Sequence, residues 1–149
     1  MRILMVCLGN ICRSPLAEGI LRDKVIRKKL DWKVDSAGTG SWHIGSAPDI
    51  RSIAVAKKHG IDINQQRGRQ FTAEDFNNFD MIFAMDSENY QNIIHLATSE
   101  EDKNKVSLIM NQLDVTRNQS VPDPYWDDDG FEKVFSMLDE ACEAFLSEY

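Results

Sequence analysis

The chain has 149 residues, 42% of them apolar and 28% charged, which fits one domain able to bury roughly 70% of its unfolded surface and excludes a disordered chain. Seventeen basic against 24 acidic residues give a net charge of −7. That balance argues against nucleic acid or an anionic membrane as a partner held by a general basic field, so an anionic ligand would have to be captured locally. Three cysteines are too few for a disulfide scaffold, and their odd number suits a reducing compartment.

Short apolar runs alternate with longer amphipathic segments, with no repeat, low-complexity tract or linker between them. This is the pattern of an α/β domain with a parallel sheet. The first predicted strand is Arg2–Val6. The apolar run around it, Ile3 to Leu8, is six residues long and is ended by Asn10 and Arg13. It falls short of an export core of about 7–15 residues, and no stretch approaches the ~18 apolar residues of a membrane span. The expected location is therefore the cytoplasm, where the Asn118-Gln119-Ser120 sequon has no meaning. A helix is predicted from Ser14 as N-cap, with Pro15 in the first helical position, where a missing N–H costs nothing. A strand at Trp32–Ser36 follows, then a helix from about Ala47 to His59 that stops at Gly60. The third strand, Asp80–Ala84, leads to a helix starting at Asp86, with Tyr90, Ile93, Ile94 and Ala97 on one face. After a fourth strand, Lys105–Ile109, the last helix carries Phe131, Val134, Phe135, Leu138, Cys142, Phe145 and Leu146 toward the core, with Cys142 as inert filler.

The first strand runs directly into Cys7-Leu8-Gly9-Asn10-Ile11-Cys12-Arg13-Ser14-Pro15 and then into a helix. Ligands of doubly wound sheets bind beyond the carboxyl ends of the strands. Successive backbone N–H groups in such a loop form an anion nest, and the following helix adds about half a positive charge. Gly9 and Asn10 are the residue types that tolerate the positive φ of a tight cradle. Arg13 supplies a planar fork for two phosphate oxygens. Cys7 lies at the bottom, where positive surroundings favour a nucleophilic thiolate. Singly, a strand-end cysteine is a small apolar filler and an early helical arginine a surface charge; together, in this order, they point to a phosphate site. It is no nucleotide P-loop, because Gly-Lys-Ser/Thr is missing, and Gly38-Thr39-Gly40 is no dinucleotide fingerprint, because His43 stands at the third glycine's place. Asp127-Asp128-Asp129-Gly130 is no calcium loop, since Tyr125 and Ser136 would occupy ligand positions, and it reads as a solvated turn. The histidines and cysteines show no ligand spacing, so no metal or cofactor is expected.

The Cys7–Pro15 string resembles the signature of the low-molecular-weight protein tyrosine phosphatases, the Cys-x5-Arg-Ser enzymes. The resemblance covers nearly the whole chain: Asp35-Ser36-Ala37-Gly38-Thr39 follows the second strand, Met85-Asp86 the third, and Asp123-Pro124-Tyr125 precedes the final helix. It implies a single α/β domain over residues 1–149, with a four-stranded parallel sheet, doubly wound with helices on both faces as a flavodoxin-like three-layer sandwich. It further implies hydrolysis of phosphotyrosine in proteins, and of small aryl phosphates, with inorganic phosphate as product and inhibitor. In that reading Cys7 attacks phosphorus while Arg13 and the loop of Leu8, Gly9, Asn10, Ile11, Cys12, Arg13 and Ser14 bind the phosphoryl oxygens. Asp123 protonates the leaving oxygen, a contribution of about 10²–10⁴-fold for a placed acid, and then serves as base for the hydrolytic water. Pro122 and Pro124 restrict the backbone around it.

The resemblance also assigns supporting roles. Ser14 is expected to hydrogen-bond the Cys7 sulfur, and Asn10 to pin the loop with Ser36 and His59. Cys12 stands where family members carry a second cysteine that forms a reversible disulfide with the nucleophile, trapping it before irreversible oxidation. Trp42 and Tyr125 would flank the phosphorylated ring, and Trp126 departs from the family's Tyr-Tyr pair. Three alternatives remain. A thioredoxin-coupled arsenate reductase needs two further cysteines mid-chain, and none lies between Cys12 and Cys142. A phosphoarginine phosphatase is distinguished by Thr where this chain has Ile11. A non-catalytic phosphate-binding module would have no need of an intact Cys7, Arg13 and Asp123. Asp127 to Asp129 are expected to disfavour substrates with acidic flanks by a small, salt-screened amount. Oligomeric state and the substrate protein are left open.

Overall fold

In the computed structural model, which describes residues 1–149, the first strand β1 (Arg2–Cys7) lies inside a four-stranded sheet. Its neighbours are β2 (Lys33–Gly38) on one side and β3 (Met81–Ala84) on the other, with β4 (Val106–Leu108) beyond β3. All pairings are parallel, as the alternation of strands and helices predicts. Helix α1 (Arg13–Arg27) connects β1 to β2; α2 (Ile50–Lys58) and α3 (Asp75–Asn78) precede β3; α4 (Ser87–Leu96) and α5 (Glu100–Asn104) precede β4. A 3₁₀ turn at Ile109–Gln112 and the long α6 (Gly130–Leu146) complete the chain.

The period of two along β1 sorts its side chains between two cores. Ile3, Met5 and Cys7 face the larger one, shared with α1, α2 and α6, whereas Leu4 and Val6 face a smaller one with Phe71, Phe76 and Ile93. Helices thus cover both faces of the sheet. The order in which strands are added reverses at β1, since β2 is laid down on one flank and β3 and β4 on the other. The carboxyl end of β1, where Cys7 stands, is therefore the crevice in which such sheets bind ligands. No helix is long and apolar enough to cross a membrane.

Element boundaries depart from the predicted ones for local reasons. Cys7 is the last residue of β1 rather than the first of the loop. Helix α1 starts at Arg13, with Cys12 as N-cap and no side-chain cap bond. The Ser14 hydroxyl, predicted as the cap, is engaged by other partners, and Pro15 sits third in the helix, still among the positions whose N–H has no intrahelical acceptor. Helix α2 begins three residues later than predicted, because Pro48 holds Ala47 extended and Asp49 caps the helix by accepting from Arg51 N at 2.8 Å. Its end is as predicted: Gly60 adopts φ 81°, and Gly60 N and Ile61 N return to Lys57 O and Ala56 O, both at 2.9 Å. Asp86 caps α4 through Asn89 N at 2.7 Å. The short α3, α5 and 3₁₀ segments carry too little periodicity to have been predicted.

Cys142 is fully buried on α6, and burial pushes its thiol up to about 12; burial first, then Asp49 and the Cys7 sulfur, do the same to Cys12. Between the ordinary thiol value of 9.0 and about 12, the unfolded chain therefore binds fewer protons than the folded one. Stability should then fall as pH rises through this range. Urea unfolding of wild type and Cys142→Ala between pH 9 and pH 11 is expected to give a shallower decline in the variant. Parallel declines would show that Cys142 does not contribute.

Candidate active site

Cys7 is 2% exposed, and its sulfur has two neighbours in hydrogen-bond reach: Asn10 N donates to it at 3.3 Å, and Ser14 Oγ lies 3.0 Å away. Asn10 Nδ2 donates to Ser14 Oγ at 2.8 Å, which leaves the Ser14 proton free to point at the sulfur. The same amide donates to Ser36 Oγ at 2.9 Å, and Asn10 Oδ1 accepts from Arg69 N at 3.1 Å. Ser36 in turn donates to Glu18 Oε1 at 2.7 Å. Glu18 is almost wholly buried; burial raises its pKa, against the opposing pull of Ser36 and of Arg22, whose guanidinium lies 2.6 Å away. A buried polar chain from Glu18 through Ser36, Asn10 and Ser14 thus ends at the Cys7 sulfur.

The predicted positive φ falls on Asn10 alone, at 58°; Gly9 serves by being small. A Cβ on Gly9 would come within 3.1 Å of the His43 ring. The more severe requirement is at Gly38, the end of β2, where a Cβ would meet Leu8 O at 2.8 Å and Asn10 N at 3.1 Å. The loop lies across that bare backbone and is tied to it by Thr39 N to Cys7 O and Gly40 N to Leu8 O, both at 2.9 Å.

Arg13 is 2% exposed, and its Nη1 donates to Asp86 Oδ2 at 2.6 Å and to Val121 O at 3.0 Å. Both Nη1 hydrogens are thereby used, and the Nε–Nη2 edge remains for an anion. Burial works against the Arg13 charge, but the Cys7 sulfur and Asp86 more than offset it and raise its pKa. Asp123 Oδ2 lies 3.9 Å from Arg13 Nη2, and its side chain is 41% exposed. Cys7, Leu8, Gly9, Ile11, Cys12, Arg13 and Asp123 line one pocket of about 300 Å³ with Trp42, His43, Tyr125 and Trp126. Exposure rises from Cys7 to 72% at Trp42 and 89% at Trp126, so the sulfur is at the floor and the indoles at the mouth.

Residues 2–149 match the family described as low molecular weight phosphotyrosine protein phosphatase. The chain belongs to this family. The phosphatase is 40% identical to the low molecular weight phosphotyrosine protein phosphatase of Schizosaccharomyces pombe, over 97% of this chain and 94% of that one. Among solved structures it is similar to the protein tyrosine phosphatase of Entamoeba histolytica, with TM-score 0.92 and 37% identity over 99% of this chain and 96% of the other. A Drosophila arginine phosphatase superposes equally well, with TM-score 0.92 and 38% identity over the whole of this chain and 98% of its own. The chain is thus a hydrolytic protein phosphatase with the α/β fold of its relatives.

Most residues singled out in the sequence converge on this pocket, and one does not. His59, expected beside Asn10, is the C-cap of α2 and turns to α6: it lies 2.6 Å from Glu132 Oε1 and stacks on Phe135 with ring centroids 4.0 Å apart. Its predicted place is filled by the Arg69 backbone, and Arg69 itself is fixed by Asp75 at 3.1 Å and Asp35 at 3.2 Å. Asp127 to Asp129 form an exposed turn, as predicted, but not an idle one. Asp127 Oδ1 accepts from Asp129 N at 3.0 Å at the start of α6, and Asp128 pairs with Arg51. Glu18, Gly38, Arg51 and Asp86 are site-building residues whose roles no local pattern announces.

Proposed function

We propose that the phosphatase hydrolyses phosphotyrosine in proteins, and small aryl phosphates, by way of a phosphate carried on Cys7. The observation that carries this reading is the sulfur itself, buried at the floor of the pocket between two hydrogen-bond donors, with the free edge of Arg13 and the Asp123 carboxyl on the same cavity. In the first displacement the sulfur attacks phosphorus, an S–P bond forms, the P–O bond to the leaving group breaks, and Asp123 gives that oxygen its proton. In the second, Asp123 removes a proton from water, the water oxygen attacks phosphorus, and the S–P bond breaks to free inorganic phosphate. The sulfur leaves as thiolate, held by Asn10 N and Ser14. Loop amides from Leu8 to Ser14 and the Arg13 edge carry the charge of the equatorial oxygens throughout. Released phosphate competes for the same cradle and inhibits.

Trp42 and Tyr125 give the pocket walls on which an aromatic ring can stack while its phosphate reaches the floor. Cys12 is the proposed redox partner of Cys7; burial keeps it a protonated thiol at neutral pH, so it does not compete as nucleophile. The family match over residues 2–149 and the single sheet support one catalytic domain.

Acid quenching during turnover of p-nitrophenyl phosphate tests the mechanism. Phosphate is expected on the peptide bearing Cys7, and none on that peptide at steady state would overturn it. Phosphoarginine is the second reading, favoured by the likeness to the Drosophila arginine phosphatase. Ile11 lines the pocket, and its bulk supports the tyrosine reading. With matched peptides, phosphotyrosine is expected to be the better substrate for wild type and to lose ground in Ile11→Thr. A wild-type preference for phosphoarginine would reverse the assignment.

A further inference from the structure

Arg51 does not line the pocket, yet it is joined to both of its sides. The start of α2 is fastened to the phosphate loop, with Asp49 N donating to Ile11 O at 2.7 Å and Ser52 Oγ to Cys12 O at 3.2 Å. From between these two residues, Arg51 is gripped by the Asp49 carboxylate, Nε to Oδ1 at 3.0 Å and Nη2 to Oδ2 at 2.9 Å. The guanidinium then reaches across to the loop that bears Asp123. Nη2 also donates to Tyr125 O at 3.0 Å, and Nη1 pairs with Asp128. Its carbon lies 5.6 Å from the Tyr125 ring centroid and 4.6 Å from that of Phe131. Tyr125 completes the connection, because its N–H donates to Asp123 Oδ1 at 3.1 Å. The backbone of Tyr125 is thus held at its N–H by Asp123 and at its carbonyl by Arg51.

The acid-bearing loop is anchored ahead of the acid at Val121, whose carbonyl accepts from Arg13 at 3.0 Å and whose N–H donates to Met85 O at 2.8 Å. Beyond Asp123, its bonds to the phosphate-loop side run through Arg51. Asp123 and residues 125–129 are exposed, and the direct link between Asp123 and the cradle is the 3.9 Å approach to Arg13. Pro122 and Pro124 stiffen the loop internally but make no bond across the pocket. We infer that Arg51 is the positioning residue for the general acid, a strut that sets the Asp123 carboxyl over Cys7 by tying Tyr125 and Asp128 to the phosphate loop through Asp49. The role asks for arginine, since one planar group must meet a carboxylate, a carbonyl, a second carboxylate and two ring faces at once, which an ammonium cannot do. This inference rests on Asp123 being the proton donor.

A strut acting through Asp123 has a signature that general loss of structure lacks: it matters in proportion to how much the leaving group needs a proton. The test is kcat/KM for phenyl phosphate, a basic leaving group, against 2,4-dinitrophenyl phosphate, which departs unaided. Arg51→Ala is expected to lose ~10-fold on the first and less than ~2-fold on the second, with Arg51→Lys between. In an Asp123→Asn background, the added Arg51→Ala change should cost phenyl phosphate turnover less than ~2-fold, because there is no proton left to place. Equal losses on both substrates, or a ~10-fold loss that persists in the Asp123→Asn background, would overturn the inference. Should Arg51→Ala fail to fold, Arg51→Lys carries the same comparisons. An Asp123→Asn protein with undiminished phenyl phosphate turnover would remove the reading of Asp123 as donor, and this role of Arg51 with it.

Discussion

Cys7→Ser is expected to turn over p-nitrophenyl phosphate at least ~10⁴-fold more slowly than wild type, in reductant and with a chelator present. A serine hydroxyl keeps its proton at neutral pH, and the groups around position 7 offer no base to take it. Asn10 N is a donor, and Ser14 Oγ is itself committed to the Asn10 amide. Both are spaced for sulfur, at 3.3 and 3.0 Å, and a smaller oxygen would sit out of line with them. The cradle should survive, because the replaced atom is on the floor and the amides and Arg13 are untouched. Calorimetric titration with inorganic phosphate is therefore expected to detect binding in the variant. Most of the wild-type rate retained in Cys7→Ser would overturn the assignment of the nucleophile. No turnover in wild type either would mean that the cradle binds without reacting.

Arg13→Lys carries the second large effect, a fall in kcat/KM of about 10²–10³-fold with weaker inhibition by phosphate. The argument is a count of donors. Arg13 spends Nη1 on Asp86 and Val121 O, and still has a planar edge for two oxygens of the substrate. An ammonium group has three donors on one atom; after meeting Asp86 and the Val121 carbonyl it has one left and no fork. Lysine keeps a positive charge beside Asp86, so its folding stability should stay closer to wild type than that of Arg13→Ala. The alanine variant leaves the Asp86 carboxylate without its partner and the Val121 carbonyl without a donor. Rates on p-nitrophenyl phosphate and urea unfolding of the two variants check both halves. A lysine variant with wild-type kcat/KM would rule out bidentate holding by Arg13.

What the sequence made legible follows from where each contact lies along the chain. The cradle is contiguous from Cys7 to Pro15, and strand, loop and helix can be assigned there from neighbouring residues alone. The Gly60 stop and the Asp86 cap are equally local. Ser14 before proline has the local pattern of a cap, but its hydroxyl goes to the sulfur of Cys7, the partner the resemblance assigns to it, and the cap position falls on Cys12. Nothing local places His59 in the Asn10 network, and the partner of Asn10 Oδ1 is the backbone N–H of Arg69, which no side-chain pattern can reveal. Gly38 lies within the Asp35–Thr39 motif, but its necessity follows from Leu8 and Asn10 lying on it. Arg51 reads as an ordinary surface charge until the loop 74 residues later folds against it.

The two bonds from Arg13 Nη1 join residues 73 and 108 positions apart in the chain. A peptide of the cradle alone, or a collapsed chain with its helices formed and its sheet incomplete, would present the nine residues of the loop without the carboxylate and carbonyl that aim the guanidinium. Contacts of such separation are costly to close early in folding. Recovery of catalysis after dilution from denaturant is thus a reporter of the completed tertiary structure, and recovery of helical dichroism is not.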